Sequence, residues 1–166
     1  MSQTNELEIM ERIALDLEGV EESLASSFNT GAEDFNALIR PLSAAGGKRL
    51  RAQLCLLIAN AGTSVDRQRI RIAEAVEMLH LATLIHDDVL DQAEIRRGED
   101  TIHMHKGNKV AILSGDYLFA KAFQIVSEMP DMKYLQIFSH IISCLVEGEF
   151  MQMEDVYRID QGIERY

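Results

Sequence analysis

Proline, glycine and tryptophan are scarce in this sequence. Its 166 residues include only 2 prolines, 10 glycines and no tryptophan. All-β domains turn often and use proline and glycine to do so, which makes an all-β fold a poor fit. Hydrophobic residues make up 47% of the chain, enough to form the core of one ordinary domain. We therefore predict an all-α fold, with residues 1–166 forming a single domain or part of one.

Cysteines and long apolar runs are also lacking. The two cysteines, Cys55 and Cys144, are too few and too far apart for a disulfide framework or a metal-ligand cluster. Both lie in apolar surroundings, so we expect buried free thiols in a reducing cytoplasm. The chain has no run of about 18 consecutive apolar residues, and its amino terminus is acidic. We predict no transmembrane segment, no targeting signal and a cytoplasmic location.

Basic residues are outnumbered by acidic ones. The chain has 16 Lys and Arg against 27 Asp and Glu, for a net charge of −11. No nucleic-acid partner is expected, because binding a phosphate backbone requires a basic face. Residues 41–71 are an exception, since they contain 6 bases and 1 acid. This local excess makes a binding site for a small anion possible within an acidic protein.

Apolar residues recur at spacings of three and four along most of the chain, the pattern of amphipathic helices. The pattern predicts helices over residues 5–28, 33–44, 49–60, 66–91, 110–128 and 132–155. Asp66 is a suitable cap for the fourth helix, and residues 92–108 are predicted to be irregular. The third helix is apolar on most sides, so we expect it to be deeply buried. Long helices with short connections favour a helical bundle.

Three aspartates end the fourth predicted helix, in the sequence HDDVLD. Asp87 and Asp91 are one turn apart and share a face, whereas Asp88 points partly aside. Two carboxylates at the negative end of a helix dipole repel each other. A bound Mg²⁺ would relieve this repulsion, since it binds carboxylate oxygens and completes its shell with water and substrate phosphate. The alternative is a solvated acidic helix end.

Basic residues occur at two places that could accompany these carboxylates. Arg96 and Arg97 follow the aspartates, and the sequence GGKRLR at 46–51 opens the third helix after a glycine break. Exposed backbone amides, Lys and Arg all suit phosphate oxygens, and Lys48 and Arg51 share a helical face. Each basic cluster alone is typical of a solvated surface. Together with the aspartates, they indicate two anion sites, one mediated by a metal and one purely cationic.

Three segments closely resemble the trans-isoprenyl diphosphate synthases, the chain-elongating polyprenyl synthetases. They are GGKRLR at 46–51, EMLHLATLIHDDVLDQAEIRRG at 77–98 and GNKVAILSGDYLFAKAF at 107–123. The resemblance extends from about Gly46 to Gln152, and it implies an antiparallel helical bundle of the isoprenoid-synthase type. Members of this family join isopentenyl diphosphate to an allylic diphosphate. They need two diphosphate sites, which agrees with the two anion sites inferred above.

The resemblance implies roles for individual residues. Asp87 and Asp91 are implied to bind Mg²⁺ that bridges to the allylic diphosphate, and Arg96 to contact the same diphosphate. These three are therefore the candidate catalytic residues. Four residues are implied to bind isopentenyl diphosphate: Lys48, Arg51, His80 and Arg97. The expected product is a trans-polyprenyl diphosphate.

The resemblance also bears on the length of that product. Bulky residues just before the aspartates block the growing chain in this family, but Ala82 and Thr83 are small here. An apolar tunnel left open at this point implies a medium or long chain, as in quinone side chains. Close packing of two helices would explain the same small residues.

Glu77 and His80 form the E-x-x-H pattern of a di-iron helical bundle, but no second such motif occurs in the sequence. His80 lies two turns before Asp87 on one face, which suits a second substrate beside the metal site. No role is assigned to His86, His103 or His105.

Family members usually continue for about as much chain again, with a second aspartate-rich motif. Residues 1–166 therefore resemble the amino-terminal part of the domain, and we expect them to be inactive alone. The alternative is a noncatalytic helical subunit or a diphosphate-binding regulatory protein that works with a partner chain. A class I terpene cyclase shares the metal chemistry but has no need of GGKRLR and RRG. The resemblance implies a homodimer, with a heteromer as the other possibility.

Overall fold

A computed structural model describes residues 3–28, 33–44, 47–61 and 67–156. The described residues form seven helices and one hairpin of two short strands. The helices are α1 Gln3–Ser27, α2 Glu33–Ala44, α3 Leu50–Ala61, α4 Gln68–Leu90, α5 Ile102–Lys106, α6 Asn108–Ser127 and α7 Lys133–Asp155. The strands are β1 Ile95–Arg96 and β2 Glu99–Asp100. The predicted all-α fold is confirmed, and the chain divides into two units, Met1–Met129 and Pro130–Tyr166.

Helix α4 is the central element of the first unit. It packs most extensively against α6 and also contacts α3 and α1. Many of the buried side chains on α4 and α6 are small, which lets two helices approach closely. Those buried alanines are Ala73, Ala75, Ala82, Ala111 and Ala122.

Buried polar contacts join α1 to α4. Glu74 of α4 is fully buried, and its carboxylate accepts hydrogen bonds from Ser23 at 2.6 Å and Ser27 at 2.7 Å. Arg71 pairs with the same carboxylate at 2.6 Å. A buried carboxylate is tolerated only when it is paired and hydrogen-bonded, and Glu74 satisfies both conditions.

The expectation that α3 is deeply buried is wrong. Only Ala52 and Leu56 of this helix are buried, one turn apart on a single face. Its other large apolar side chains are exposed by 47–66%: Leu50, Leu54, Leu57 and Ile58. Helix α3 packs against α1 and α4 through one face, so it is less buried than its apolar composition predicts. The expectation of buried thiols is also wrong for Cys144, which is exposed, and Cys55 is only half-buried.

The segment predicted to be irregular contains a hairpin and a short helix. Arg97 and Gly98 form its two-residue turn, with φ angles of 55° and 87°. Two positive φ angles in succession suit the twist of a tight hairpin, but Asn-Gly and Asp-Gly are the usual sequences. Arg-Gly is not one of these usual sequences, so the turn was not predicted. The proposed cap Asp66 lies outside the described residues.

Helix α6 is long and apolar enough to cross a membrane by length and composition alone. The core helices of soluble proteins meet the same criterion. Helix α6 buries residues along its length, among them Ala111, Leu118 and Val126, and it packs against α4. This packing buries part of the apolar surface of α6, whereas Ile112 and Leu113 are exposed.

Candidate functional site

Asp87 lies in the last turn of α4 and Asp91 is the residue that caps its carboxyl end, which agrees with the predicted place of both at the end of this helix. The Asp91 backbone N–H donates to the Asp87 carbonyl oxygen at 2.8 Å and closes the helix. Burial raises the pKa of the Asp87 carboxyl above its ordinary value, and the negative charge of Asp91 raises it further. Nearby Arg96 opposes the shift without cancelling it. The two carboxylates are one turn apart at the same end of a helix, where like charges repel each other.

Asp88 points away from this pair, as its place in the helix predicts. It is 7% exposed, and its Oδ1 accepts a hydrogen bond from Arg96 Nε at 2.6 Å. The ion pair anchors β1 to the end of α4. Because a guanidinium has five N–H donors, Arg96 can bind Asp88 through Nε and still offer its terminal nitrogens to an anion.

The pair of Asp87 and Asp91 fits a hard divalent cation. Both offer carboxylate oxygens, and neither has a basic side chain within ion-pair distance in the part of the chain that the structure describes, whereas Asp88 does. No group of three or more His, Cys, Asp or Glu that could hold a metal occurs among the described residues. Mg²⁺ suits such a site, because it is commonly bound by one or two carboxylates together with water and phosphate oxygens.

The residues implied to bind isopentenyl diphosphate form a second cluster. Arg51 Nη1 lies 3.2 Å from His80 Nε2, which joins the start of α3 to the middle of α4. Arg97 reaches the same area from the hairpin, since its guanidinium lies against Gly47. A Cβ added to Gly47 would be 3.3 Å from Arg97 Nη2. Lys48 lies next to Gly47 and has an exposed side chain.

His80 lies in a positively charged environment. Burial lowers the pKa of His80 below its ordinary value, and the Arg51 charge lowers it further. Arg97 and Arg96 act in the same direction, whereas Glu77 opposes them. A half-buried histidine among three arginines indicates a local excess of positive charge, which suits a diphosphate.

The hairpin distributes its two arginines between the two clusters. Arg96 faces Asp88 at the end of α4, and Arg97 faces Gly47 before α3. Arg97 takes a left-handed φ of 55°, a strained conformation that costs a residue with a side chain about 1 kcal/mol or more. The sequence predicts that both arginines bind anions, and the turn places the two neighbouring side chains in different clusters.

The residues implied to set product length have distinct surroundings. Ala82 is fully buried, whereas Thr83 is half-buried and its hydroxyl donates to the His80 carbonyl oxygen at 2.8 Å. The burial of Ala82 agrees with close helix packing. The position of Thr83 one turn before Asp87 agrees with the implied role in product length.

His86 packs against α6. Its Nε2 lies 3.2 Å from the Ile112 carbonyl oxygen, and a Cβ added to Gly115 would clash with the same nitrogen. Gly115 is therefore needed for its small size. The glycine lies within SGD, part of the third segment of the resemblance, but its steric role could not be read from the sequence.

Two charged residues were not anticipated as parts of the site. Glu77 is 3% exposed and contacts both the backbone and a side chain of the segment that carries Lys48 and Arg51. Arg49 is turned away from the cationic cluster and pairs with Glu21 and Glu77. The sequence held one sign of such a role, because Glu77 is a charged residue within the apolar pattern of α4, one turn before His80.

Comparison with curated proteins identifies relatives over most of the chain. Residues 32–166 match the profile of the polyprenyl synthetase family. The chain is 33% identical to octaprenyl diphosphate synthase of Escherichia coli (strain K12) over 158 residues, which cover 95% of this chain and 49% of that protein. It is 37% identical to heptaprenyl diphosphate synthase component 2 of Geobacillus stearothermophilus over 152 residues, which cover 91% of this chain and 47% of that protein.

Comparison with solved structures gives the same result for the fold. A polyprenyl synthase from Caulobacter crescentus CB15, complexed with calcium and isoprenyl diphosphate, superposes with a TM-score of 0.89 at 32% identity, covering 95% of this chain and 48% of that chain. The chain thus has the helical bundle of isoprenoid synthases. It spans about half the length of the curated relatives it matches. Sequence profile and fold agree that the chain belongs to the polyprenyl synthetase family, the trans-isoprenyl diphosphate synthases.

Proposed function

We propose that this chain provides two diphosphate sites of a chain-elongating prenyltransferase, which condenses isopentenyl diphosphate with an allylic diphosphate to give a trans-polyprenyl diphosphate. The observation that carries the proposal is the position of two clusters along α4. A carboxylate pair, Asp87 and Asp91, ends the helix, and a cationic cluster of Arg51, His80 and Arg97 lies about two turns earlier. Two substrates with diphosphate groups could thus lie side by side.

The two clusters suit different substrates. Asp87 and Asp91 would hold Mg²⁺ against the allylic diphosphate, with Arg96 on the same group. When bound, Mg²⁺ would supply positive charge that offsets the charge of a departing diphosphate. The cationic cluster, with Lys48, would bind isopentenyl diphosphate, which must remain intact. A site without a metal suits that substrate, because its diphosphate is not a leaving group.

The reaction follows from this division. The allylic C–O bond breaks, and diphosphate leaves with the electron pair while Arg96 stabilises its negative charge. The double bond of isopentenyl diphosphate attacks the allylic cation and forms the new C–C bond. Transfer of a proton from the adduct to the released diphosphate restores an alkene. The side chains bind and orient the two substrates, and no covalent bond to the protein forms.

A medium or long product is the expected outcome of this site. Ala82 and Thr83 are small where a bulky side chain would stop chain growth, and relatives of this chain are named octaprenyl and heptaprenyl diphosphate synthases. Such a product would become the side chain of a quinone.

The chain is proposed to need more polypeptide for turnover. Its candidate metal site has two carboxylates, and the apolar face of α3 is exposed. The missing part could come from the same polypeptide or from another chain, and one relative is named as a component of its enzyme. A homodimer is the simpler assembly. A noncatalytic subunit that binds diphosphate and works with a partner is the second candidate.

Binding of an unreactive thiolo analogue of an allylic diphosphate tests the proposal on the chain itself. Isothermal titration calorimetry should detect binding with Mg²⁺ present and none after chelation. Asp87→Asn should abolish the Mg²⁺-dependent binding. Asp34→Asn, which removes an exposed acid from the first turn of α2, is the matched control and should bind normally. Binding that is independent of Mg²⁺, or unaffected by Asp87→Asn, would contradict the proposed role.

A further inference from the structure

Glu77 is a buried carboxylate that the proposed reaction does not use. It lies on α4, one turn before His80, and is 3% exposed. Taking a carboxylate out of water costs several kcal/mol unless it gains partners of good geometry. The partners of Glu77 therefore indicate why the fold retains a charge at this position.

The first partner is the backbone at the start of α3. Glu77 Oε1 accepts a hydrogen bond from the Ala52 N–H at 3.0 Å. Ala52 is the third residue of α3, so its amide has no acceptor within its own helix. The next amide, that of Gln53, donates to the Arg49 carbonyl oxygen at 2.8 Å. Glu77 thus caps α3 from a neighbouring helix and fixes where it begins.

The second partner is the Arg49 side chain. Arg49 Nη1 lies 3.5 Å from Glu77 Oε2, and the same guanidinium donates to Glu21 of α1 at 2.6 and 3.1 Å. Its side chain is 9% exposed, and its backbone takes a left-handed φ of 44°. A residue with a side chain adopts this conformation only where its surroundings impose it. The two carboxylates provide that constraint by tying the segment to α1 and α4.

These contacts bracket residues of the cationic site. Lys48 immediately precedes Arg49, and Arg51 immediately precedes Ala52. Gly47, on the same segment, lies against Arg97. A shift at Arg49 or Ala52 would therefore move Lys48 and Arg51 relative to His80 and Arg97, whose positions depend on α4 and the hairpin.

We infer that Glu77 is a positioning residue for the cationic diphosphate site. Through the Ala52 amide and the Arg49 side chain, it sets the register and orientation of residues 47–52, so that Lys48 and Arg51 face the diphosphate beside His80. Arg49 is occupied by this task and does not bind phosphate. This inference rests on the proposed function, because it concerns the site that binds isopentenyl diphosphate.

A role for Glu77 as a metal ligand is the competing interpretation of its E-x-x-H pattern. Its Oε1 accepts the Ala52 amide and its Oε2 faces Arg49. The described residues contain no group of three or more His, Cys, Asp or Glu that could complete such a site. The contacts of Glu77 are those of a group that orients its neighbours.

The test uses Glu77→Gln in the whole chain, with Glu74→Gln as the matched control. Glu74 is another buried glutamate of α4, but it bonds Ser23, Ser27 and Arg71 and does not touch residues 47–52. Calorimetry with Mg²⁺ chelated measures the Kd of isopentenyl diphosphate at the cationic site. Hydrogen exchange measures the protection of the Ala52 amide. The Mg²⁺-dependent binding of the thiolo analogue serves as an internal reference.

Glu77→Gln should raise the Kd of isopentenyl diphosphate about 10-fold or more, the usual effect of removing a group that orients a binding residue. The Ala52 amide should exchange faster, and binding of the thiolo analogue should be unchanged. Glu74→Gln should leave both Kd values unchanged even if it lowers stability. If Glu77→Gln does not fold, Arg49→Gln removes the second partner of Glu77 and should also raise the Kd of isopentenyl diphosphate.

An unchanged Kd for isopentenyl diphosphate in a folded Glu77→Gln or Arg49→Gln variant would overturn the inference, even with faster exchange at Ala52. An equal rise in Glu74→Gln would also overturn it, because the effect would then be general destabilisation. If the wild-type chain binds no isopentenyl diphosphate, the proposed function fails, and the inference fails with it. That result appears before any Glu77 variant is made, so the two failures are distinguishable.

Discussion

The contact between Gly47 and Arg97 leaves little room for a side chain at position 47. Its φ is not left-handed, so substitution would not strain the backbone there, but an added Cβ would approach Arg97 Nη2 to 3.3 Å. We expect Gly47→Ala to displace the Arg97 guanidinium and weaken metal-free binding of isopentenyl diphosphate, with little loss of stability. Gly148→Ala is the control, since its Cβ would meet nothing within 4 Å. Equal affinities in calorimetry would show that Arg97 does not contribute at this position.

The lowered pKa of His80 predicts how stability depends on pH. Burial and the Arg51 charge favour the neutral ring in the folded state, whereas the unfolded chain takes up a proton near the ordinary value of 6.5. Stability is therefore fully present above pH 6.5 and falls as the pH drops through that value towards the lower folded pKa. Urea unfolding at a series of pH values should show this loss, and His80→Gln should reduce it. A bound diphosphate would raise the pKa of His80, which NMR titration of the ring would detect.

We expect substitutions at Ala82 and Thr83 to have different effects on the product and on stability. Thr83 is half-buried, so Thr83→Tyr can place a ring in the path of the growing chain. Ala82 is fully buried, and Ala82→Phe should overpack the helix contact at a cost of about 1–3 kcal/mol. In an active assembly, Thr83→Tyr should shorten the product as measured by chromatography of the dephosphorylated prenols. A product of unchanged length would remove Thr83 from this role.

At the scale of elements, the β1–β2 hairpin links the two charged clusters. Its turn needs a positive φ at Gly98, where a Cβ would meet no atom within 4 Å, so the cost of a side chain is conformational. Gly98→Ala should destabilise the chain by roughly 1 kcal/mol and weaken both metal-free and Mg²⁺-dependent diphosphate binding. Gly107→Ala is matched to it, with a φ of 82° and open space around the added Cβ. Gly107→Ala should lose at least as much stability, because a ψ of 161° places Gly107 in a region that essentially only glycine adopts, but it should bind normally. A binding loss of the same size in both variants would contradict a role for the hairpin.

The elements also show what the sequence could and could not predict. Periodicity located the long helices, because an amphipathic stripe is a local property, and the spacing of Asp87 and Asp91 predicted their shared face. The burial of α3 was mispredicted, since exposure depends on which neighbours cover a helix. The hairpin was missed because its turn needs a positive φ at Arg97, and arginine does not favour that conformation as asparagine, aspartate and glycine do. The role of Glu77 depends on a contact with the backbone of another helix, and such a contact leaves only a weak pattern in the sequence.

At the scale of the whole molecule, we expect residues 1–166 to bind diphosphates without catalysing product formation. The carboxylate pair and the described residues of the cationic cluster all lie in the first unit, Met1–Met129, so we expect that unit to bind both diphosphates. Turnover also requires exclusion of water around the allylic cation. The proposed metal site has two carboxylates among the residues that the structure describes, and the leucines of α3 are exposed, so we expect further chain to be needed for that enclosure. We expect residues 1–166 alone to bind the thiolo analogue with Mg²⁺ but to form no prenyl product from radiolabelled isopentenyl diphosphate. Addition of a polypeptide that supplies a second aspartate-rich motif should restore product formation, and Asp87→Asn should abolish it again. Steady turnover by the 166 residues alone would contradict the need for further chain.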